Sequence, residues 1–552
     1  MSSFDSVMRR GLAALTCVLL ACSGTIGAAG GSDPDNPHRP GEDPDVEIPE
    51  GGASLHRLLE PSERCEDDTM PRAVRRLTGR QYRNSLLALF GGDASLPDGD
   101  VLDDPVVHGF SVDADAAVVR DLGAQRLMQH AERVATWAVE SKLALFTTCR
   151  DLSEACRTSF LDAFGSAAFR APLTDAQRTA YDGLMREEAT FEAGAEVVIT
   201  AMLQSPYFVY RHELGGERRS GRRALTAFER ASALSYLVTE GPPDEALHAA
   251  ALEGRLETEE DMVRELDRLL DTPAADEMLA HFVHGWLEVD DLPGKVKDDT
   301  GFVLTPELRA SMLDETARFY TDLVRNEGTF DELFSARHTM VDTRLRELYG
   351  LTGEGQVSIE GSRRGPGVLG QGAVLARHAL ASSSSPVSRG KLIRERVLCQ
   401  ELPDPPPGVN TDLEGVGAAV GTTRERYNEH SRNEACSGCH RLMDPIGFAF
   451  EHYDAYGRWR DDENGFAIDT SGQIEGLPDG TNVPLDGLET LADALANDPS
   501  ARDCYARHFA YFAQGTPGCG ATVRAMADTP EGSLRGMLRS LVTTRQFLER
   551  VD

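Results

Sequence analysis

Three segments share one local pattern: Leu77-Thr78-Gly79-Arg80-Gln81, Leu173-Thr174-Asp175-Ala176-Gln177 and Leu225-Thr226-Ala227-Phe228-Glu229. In each, a threonine precedes Gln or Glu by three residues, so that the hydroxyl can accept from an orphan amide while the longer side chain bonds back to the cap. Each therefore predicts a helix start. Behind the first, Tyr82, Leu86, Leu89 and Phe90 recur at helical spacing until Gly91-Gly92. The same spacing returns in Met262, Leu266, Leu269 and Leu270 and again in Met312, Thr316, Phe319, Tyr320 and Leu323. The expected fold class is mainly α, a multi-domain helical protein. A short β-hairpin is expected near 466–486, where Gly472, Gly476 and Gly480 punctuate Ile468, Ile474 and Val483.

Length and charge narrow the partners. The 552 residues leave room for three to four domains at roughly 150 residues each. A formal charge of −34 repels a phosphate backbone, which argues against nucleic acid as a partner. At the N-terminus, Arg9-Arg10 and the apolar stretch Gly11 to Ala21 have the form of an export signal. It closes on Leu19-Leu20-Ala21-Cys22, which resembles a bacterial lipobox and nominates Cys22 for lipidation, with simple secretion as the alternative. Beyond it, Pro34, Pro37, Pro40, Pro44 and Pro49 alternate with acids in an extended tether. The expected setting is the cell envelope, as an outer-membrane lipoprotein or a periplasmic protein, with the membrane as partner through the anchor.

The expected segmentation is a signal peptide at 1–21, a tether at 22–64, and helical domains at 65–150, 151–216 and 222–352. A cytochrome-c-like domain at 362–465 and a C-terminal hairpin and helical domain at 466–552 follow. Breaks are marked by Gly215–Gly221, Gly353–Gly367 and the run Pro403-Asp404-Pro405-Pro406-Pro407-Gly408, which cannot be helical.

Cys436-Ser437-Gly438-Cys439-His440 is a C-x-x-C-H. This spacing sets two thiols against the vinyl groups of a haem, with the following imidazole as proximal ligand. With 10 Cys and 14 His in the chain, chance supplies only roughly 0.005 such matches. The expected cofactor is one covalently attached haem c on Cys436, Cys439 and His440. A Cys436–Cys439 disulfide and a zinc or redox dithiol are the alternatives, although neighbouring Cys439 and His440 suit one tetrahedron poorly. For the distal position the candidates are His430, or an open site, with His378 a second donor. Met443 lies three residues from His440, and its backbone reach of about 10 Å is too short to round a porphyrin edge. Arg458, beside Trp459 and Arg460, is a candidate for holding haem propionates.

The stretch CSGCHRLMDPIGFAFEHYDAYGRWR, together with RGPGVLGQGAVLARHALASSSSPVSRGKLIRERVL upstream, resembles the planctomycete cytochrome-c-like family. In that family several helical domains of unknown function surround a C-x-x-C-H segment. LTAFERASALSYLVTEGPPDEAL, RRLTGRQYRNSLLALFG and FRAPLTDAQ extend the resemblance over most of residues 71–550. One departure is Val238-Thr239-Glu240-Gly241, where family members often carry a Trp-containing turn. The resemblance implies electron transfer or oxidoreductase chemistry in the envelope, and names no substrate or redox partner. Electron transfer through one haem is the leading expectation. A peroxidase-like enzyme with an open iron site and a haem-free structural lipoprotein are the alternatives, so enzymatic activity stays open.

Other groupings point to structure. His281 and His284 share a helix face without an evident third ligand, and Ser382 to Ser385 read as a loop. Asp444, Glu451 and Asp454 offer an acid/base group, with Asp444-Pro445 expected instead to shape a turn after the motif. Setting aside Cys17, Cys22, Cys436 and Cys439 leaves six cysteines, expected to pair as Cys149–Cys156, Cys504–Cys519 and Cys65–Cys399.

Overall fold

The computed structural model describes residues 56–99, 101–298, 301–402, 421–430, 434–478, 480–530 and 532–552, without the side chains of 56, 428–430 and 434–436. The leader, Cys22 and most of the tether lie outside these residues, as do the side chains of Cys436 and His430.

Helices dominate, and the capping signals start them where the sequence places them. Thr78, Thr174 and Thr226 each cap a helix, over Gly79–Leu89, Asp175–Arg186 and Ala227–Thr239, with the reciprocal bond from Gln81, Gln177 or Glu229. Thr258 and Thr329 repeat the device with Asp261 and Glu332. Among the described residues no helix is long and apolar enough to cross a membrane.

The helices bury two apolar cores. One gathers the N-terminal helices from Leu77 to Val209 around Phe160, Phe164 and Met202, with Tyr236 reaching in from the next segment. The other joins the helices of 227–345 to the region around Leu375 and Ile446 and to the C-terminal helices, around Phe282, Trp286, Tyr505 and Phe509.

Strands are short and serve as clasps. Ala73–Arg76 pairs antiparallel with Tyr210–Glu213, placing Arg75 opposite Arg211. The last strand, Glu549–Val551, lies between Met70–Pro71, to which it is parallel, and Arg222–Ala224, to which it is antiparallel. The expected hairpin region forms two ladders, Asp462–Glu463 with Phe466–Ala467 and Ser471–Ile474 with Val483–Asp486. Residues 56–64, expected within the tether, join the body instead. His56–Arg57 pairs with Gln400–Glu401, and Leu58 and Leu59 are buried. Two adjacent leucines gain more by burial than a solvated tether offers.

Three disulfides are present among the described residues, and two differ from expectation. Cys149–Cys156 forms as expected. Cys504–Cys519 and Cys65–Cys399 do not: the bonds are Cys65–Cys519 and Cys399–Cys504. Cys504 lies within the helix Pro499–Gln514, whereas Cys519 caps the next helix, so nearness in sequence does not aim the two sulfurs at each other. Both long-range bonds instead tie C-terminal helices to earlier segments.

Candidate functional site: the C-x-x-C-H helix

The motif occupies the first half of a helix, Glu434–Gly447. Helical spacing sets positions 436, 439 and 440 on one face, since residues three and four apart are neighbours there. The Cys439 and His440 side chains lie at intermediate depth, while Leu442, Met443 and Ile446 are buried. Pro445 does not break the helix, contrary to the expected turn at Asp444-Pro445. It stands in the last turn, where the bond its missing N–H forgoes, to the carbonyl of residue 441, falls at the end of the helix rather than dividing it.

Asp444 has a different task. Nδ1 of His440 lies 3.1 and 3.0 Å from the two carboxylate oxygens of Asp444, one turn on. A carboxylate on one ring nitrogen fixes ring orientation and tautomer and makes the other nitrogen a better donor to a metal. The arrangement leaves Nε2 of His440 as the atom suited to an iron, with Cys436 and Cys439 at the spacing for thioether bonds. The donor set fits a haem c in kind.

The helix is held by backbone contact. A Cβ on Gly390 would meet the carbonyl oxygen of Met443 at 2.1 Å, and one on Gly472 would meet that of Pro445 at 1.8 Å. A Cβ on Gly447 would lie 2.0 Å from the carbonyl oxygen of Pro386. Glycine at these positions lets the helix Pro386–Leu392 and the strand Ser471–Ile474 press against the motif helix.

Buried guanidiniums complete the mounting. Arg394 donates through Nε to the Leu442 carbonyl at 2.9 Å, and burial draws its pKa down to about 10. Arg389 donates to the carbonyls of Phe450, Tyr453, Leu375 and Asp454. Beside it, the Glu451 carboxylate accepts from Ser384 Oγ and from Arg460, both at 2.8 Å. Burial raises the Glu451 pKa against the pull of Arg460 and Arg389. Sequence reasoning did not single out Arg389 or Arg394. Both lie within the stretch RGPGVLGQGAVLARHALASSSSPVSRGKLIRERVL that carries the resemblance.

The remaining candidates separate. Asp444, Glu451 and Asp454 each serve a different partner, Asp454 holding Arg458 at 2.8 Å. Arg458 also lies over the Phe302 ring, 4.6 Å from its centroid, and Trp459 stacks on His452. His378 is fully committed to the interior, with Nε2 2.8 Å from the Leu287 carbonyl and its pKa drawn down to about 3 by burial. His281 bonds Glu240 at 2.8 Å and His284 bonds the Leu313 carbonyl at 2.9 Å, so the two do not share a site. Among the described residues, one His/Cys/acid group has ligand atoms close enough for a metal: Cys399, Cys504 and His508, whose two sulfurs are joined to each other.

Comparison with known families accounts for this arrangement in four pieces. PSD3, a protein family of unknown function (DUF1587), matches residues 75–140, and PSD5 (DUF1595) matches 156–213. PSD4 (DUF1592) matches 225–351, and PSCyt3 (DUF1588) matches 364–463, which contains the C-x-x-C-H helix. The chain is a multi-domain protein of four such domains of unknown function. No curated protein and no solved structure matches it significantly. The four match regions spread over both apolar cores: those of DUF1587 and DUF1595 build the first, with Tyr236 from the DUF1592 region, and those of DUF1592 and DUF1588 contribute to the second, with Phe110 from the DUF1587 region.

Proposed function

We propose that the protein is an exported, lipid-anchored c-type cytochrome that transfers electrons through one haem carried by the DUF1588 segment. The observation that carries this reading is the bond between His440 Nδ1 and Asp444, on a helix whose preceding residues are Cys436 and Cys439. Cys436 and Cys439 would hold the group, and His440 would ligate it through Nε2. A haem so held supplies a one-electron couple. The chain's own part is to orient His440 through Asp444, to keep the motif helix rigid through Gly390 and Gly472, to hold its Leu442 carbonyl through Arg394, and to fix the segment after it through Arg389. His430 and Arg458 keep their proposed roles as distal ligand and propionate partner, and Cys22 its role as the acylated anchor.

A second reading rests on the same bond. A carboxylate on the proximal imidazole makes it a stronger donor, which suits an iron that activates peroxide as well as one that passes electrons. The two differ in whether the distal position is filled.

Expression in a host that matures c-type haem tests the proposal. The expected product has a Soret band and keeps its haem stain after denaturation, and replacing both Cys436 and Cys439 removes both signals. A mature protein with no Soret band and an unmodified peptide mass across 432–441 refutes it and favours the disulfide-bonded structural lipoprotein. Paramagnetic resonance then separates the readings: a low-spin bis-His signal lost in His430→Ala indicates electron transfer, and a high-spin signal with peroxide turnover indicates the enzyme.

A further inference from the structure

The paired strands Ala73–Arg76 and Tyr210–Glu213 set Arg75 directly across from Arg211. Like charges in that position repel, so such a pair needs compensation. Glu213 provides part of it, accepting from Arg75 Nε at 2.9 Å and from Arg550. Three buried guanidiniums thus surround one buried carboxylate, which leaves a surplus of positive charge. Arg211 is the group left over. It is only 8% exposed, and its side chain makes no hydrogen bond or ion pair among the described residues, lying over the Tyr236 ring instead. Burial and the neighbouring arginines draw its pKa down to about 10, so it stays charged at neutral pH.

Beside Arg211 lies a small cavity of about 20 Å³, lined also by Arg75, Arg76, Thr78 and Gln514. Nε of Arg76 and Nε2 of Gln514 are, like Nε of Arg211, buried donors without a partner. The carboxylate in the lining, Glu240, meets His281 Nδ1 through Oε1 at 2.8 Å, while its Oε2 makes no hydrogen bond and is balanced by the Arg80 guanidinium at 3.6 Å. A water molecule there would satisfy donors and leave the surplus charge, whereas an anion answers both. At about 20 Å³, against the roughly 10–15 Å³ that one water needs, the cavity has room for one small monatomic ion but not for phosphate, sulfate or a carboxylate.

We propose that this cavity binds a single halide-sized anion, of the class of chloride, between Arg211 and Gln514. It lies where the strands Ala73–Arg76 and Tyr210–Glu213, the helix Ala227–Thr239 and the C-terminal helix Pro499–Gln514 converge. The anion is a structural ligand of that seam. It is independent of the haem reading, because none of its residues belongs to the motif helix.

The test compares chloride with gluconate at equal ionic strength on the purified protein. A saturable rise in Tm of about 2 °C or more in chloride, absent in Arg211→Gln, is expected, since a ligand that binds only the folded state stabilises it by mass action. Because Arg211→Gln alone could disturb folding, the wild-type protein is also crystallised in bromide. An anomalous peak between Arg211 and Gln514 supports the site. Coincident chloride and gluconate curves, with a non-anomalous peak of water size in the cavity, overturn it.

Discussion

Replacing Glu213 by glutamine keeps the shape of the side chain and removes its charge. The carboxylate and the Arg75 side chain are each 6% exposed and Arg550 is 3% exposed, so the three groups meet almost out of contact with water. Removing one partner of a buried ion pair typically costs about 3–5 kcal/mol, because the remaining charge is left uncompensated. Here Arg75, Arg550 and Arg211 would all remain, so a loss of about 4 kcal/mol is expected for Glu213→Gln. The exposed Arg64–Asp115 pair serves as a control, and Asp115→Asn should cost under about 1 kcal/mol. Urea denaturation followed by tryptophan fluorescence suits the measurement, since Trp137 packs against the core that these strands clasp. The effect also has a pH signature. Burial alone would raise the Glu213 pKa, but Arg75, Arg550 and Arg211 overcome it and hold the carboxyl well below its usual range. A depressed carboxyl contributes its stability above the unfolded pKa, so the gap between wild type and variant should persist at neutral pH and shrink as pH falls below about 4. A Glu213→Gln variant within 1 kcal/mol of wild type at pH 7 would falsify the view that this cluster is held by its carboxylate.

Gly472→Ala should push the strand off the motif helix, because its Cβ would sit 1.8 Å from the Pro445 carbonyl oxygen; a loss of about 2–3 kcal/mol by thermal melting is expected, and an unchanged Tm contradicts the close contact. In haem-loaded protein, Asp444→Asn should raise the reduction potential by weakening His440 as a donor, with covalent attachment kept; an unmoved potential excludes the positioning role. Loss of Cys149–Cys156, seven residues apart, should cost about 2 kcal/mol, and loss of Cys65–Cys519 about 5 kcal/mol, with the order checked by denaturation of Cys→Ala pairs. Burial lowers the pKa of His378 to about 3 and moves that of His508 down as well, while unfolded histidine takes a proton near 6.5. Stability should therefore decline as pH falls from about 6.5 toward 3, and a flat profile over that range refutes it.

What the sequence revealed was local. The threonines at 78, 174 and 226 could be read because a capping box is closed within four residues and needs no distant partner. The C-x-x-C-H could be picked out because the whole motif is closed within five residues. The cysteine pairing failed for the opposite reason: Cys519 finds Cys65 only after the whole chain has folded between them. The use of Asp444 was equally hidden, since a turn and a histidine partner place the same residue types in the same order, and only the helix running through Pro445 decides between them. Arg211 shows a further limit. No pattern marks an arginine as unpartnered until its neighbours have been taken by one another.

The Cys65–Cys519 bond joins residues 454 positions apart, and the parallel pairing of Met70–Pro71 with Glu549–Val551 lies beside it. Everything from Cys65, ahead of the first of the four domains, through the helix Pro499–Gln514 to Cys519 is thereby a covalently closed ring. A protease that nicks any surface loop inside that ring makes one molecule with a gap rather than two fragments, and on a non-reducing gel it would still run as a single chain. Loop tips are where such nicks concentrate. A ring with one break keeps its domains joined to one another until a reductant opens the staple.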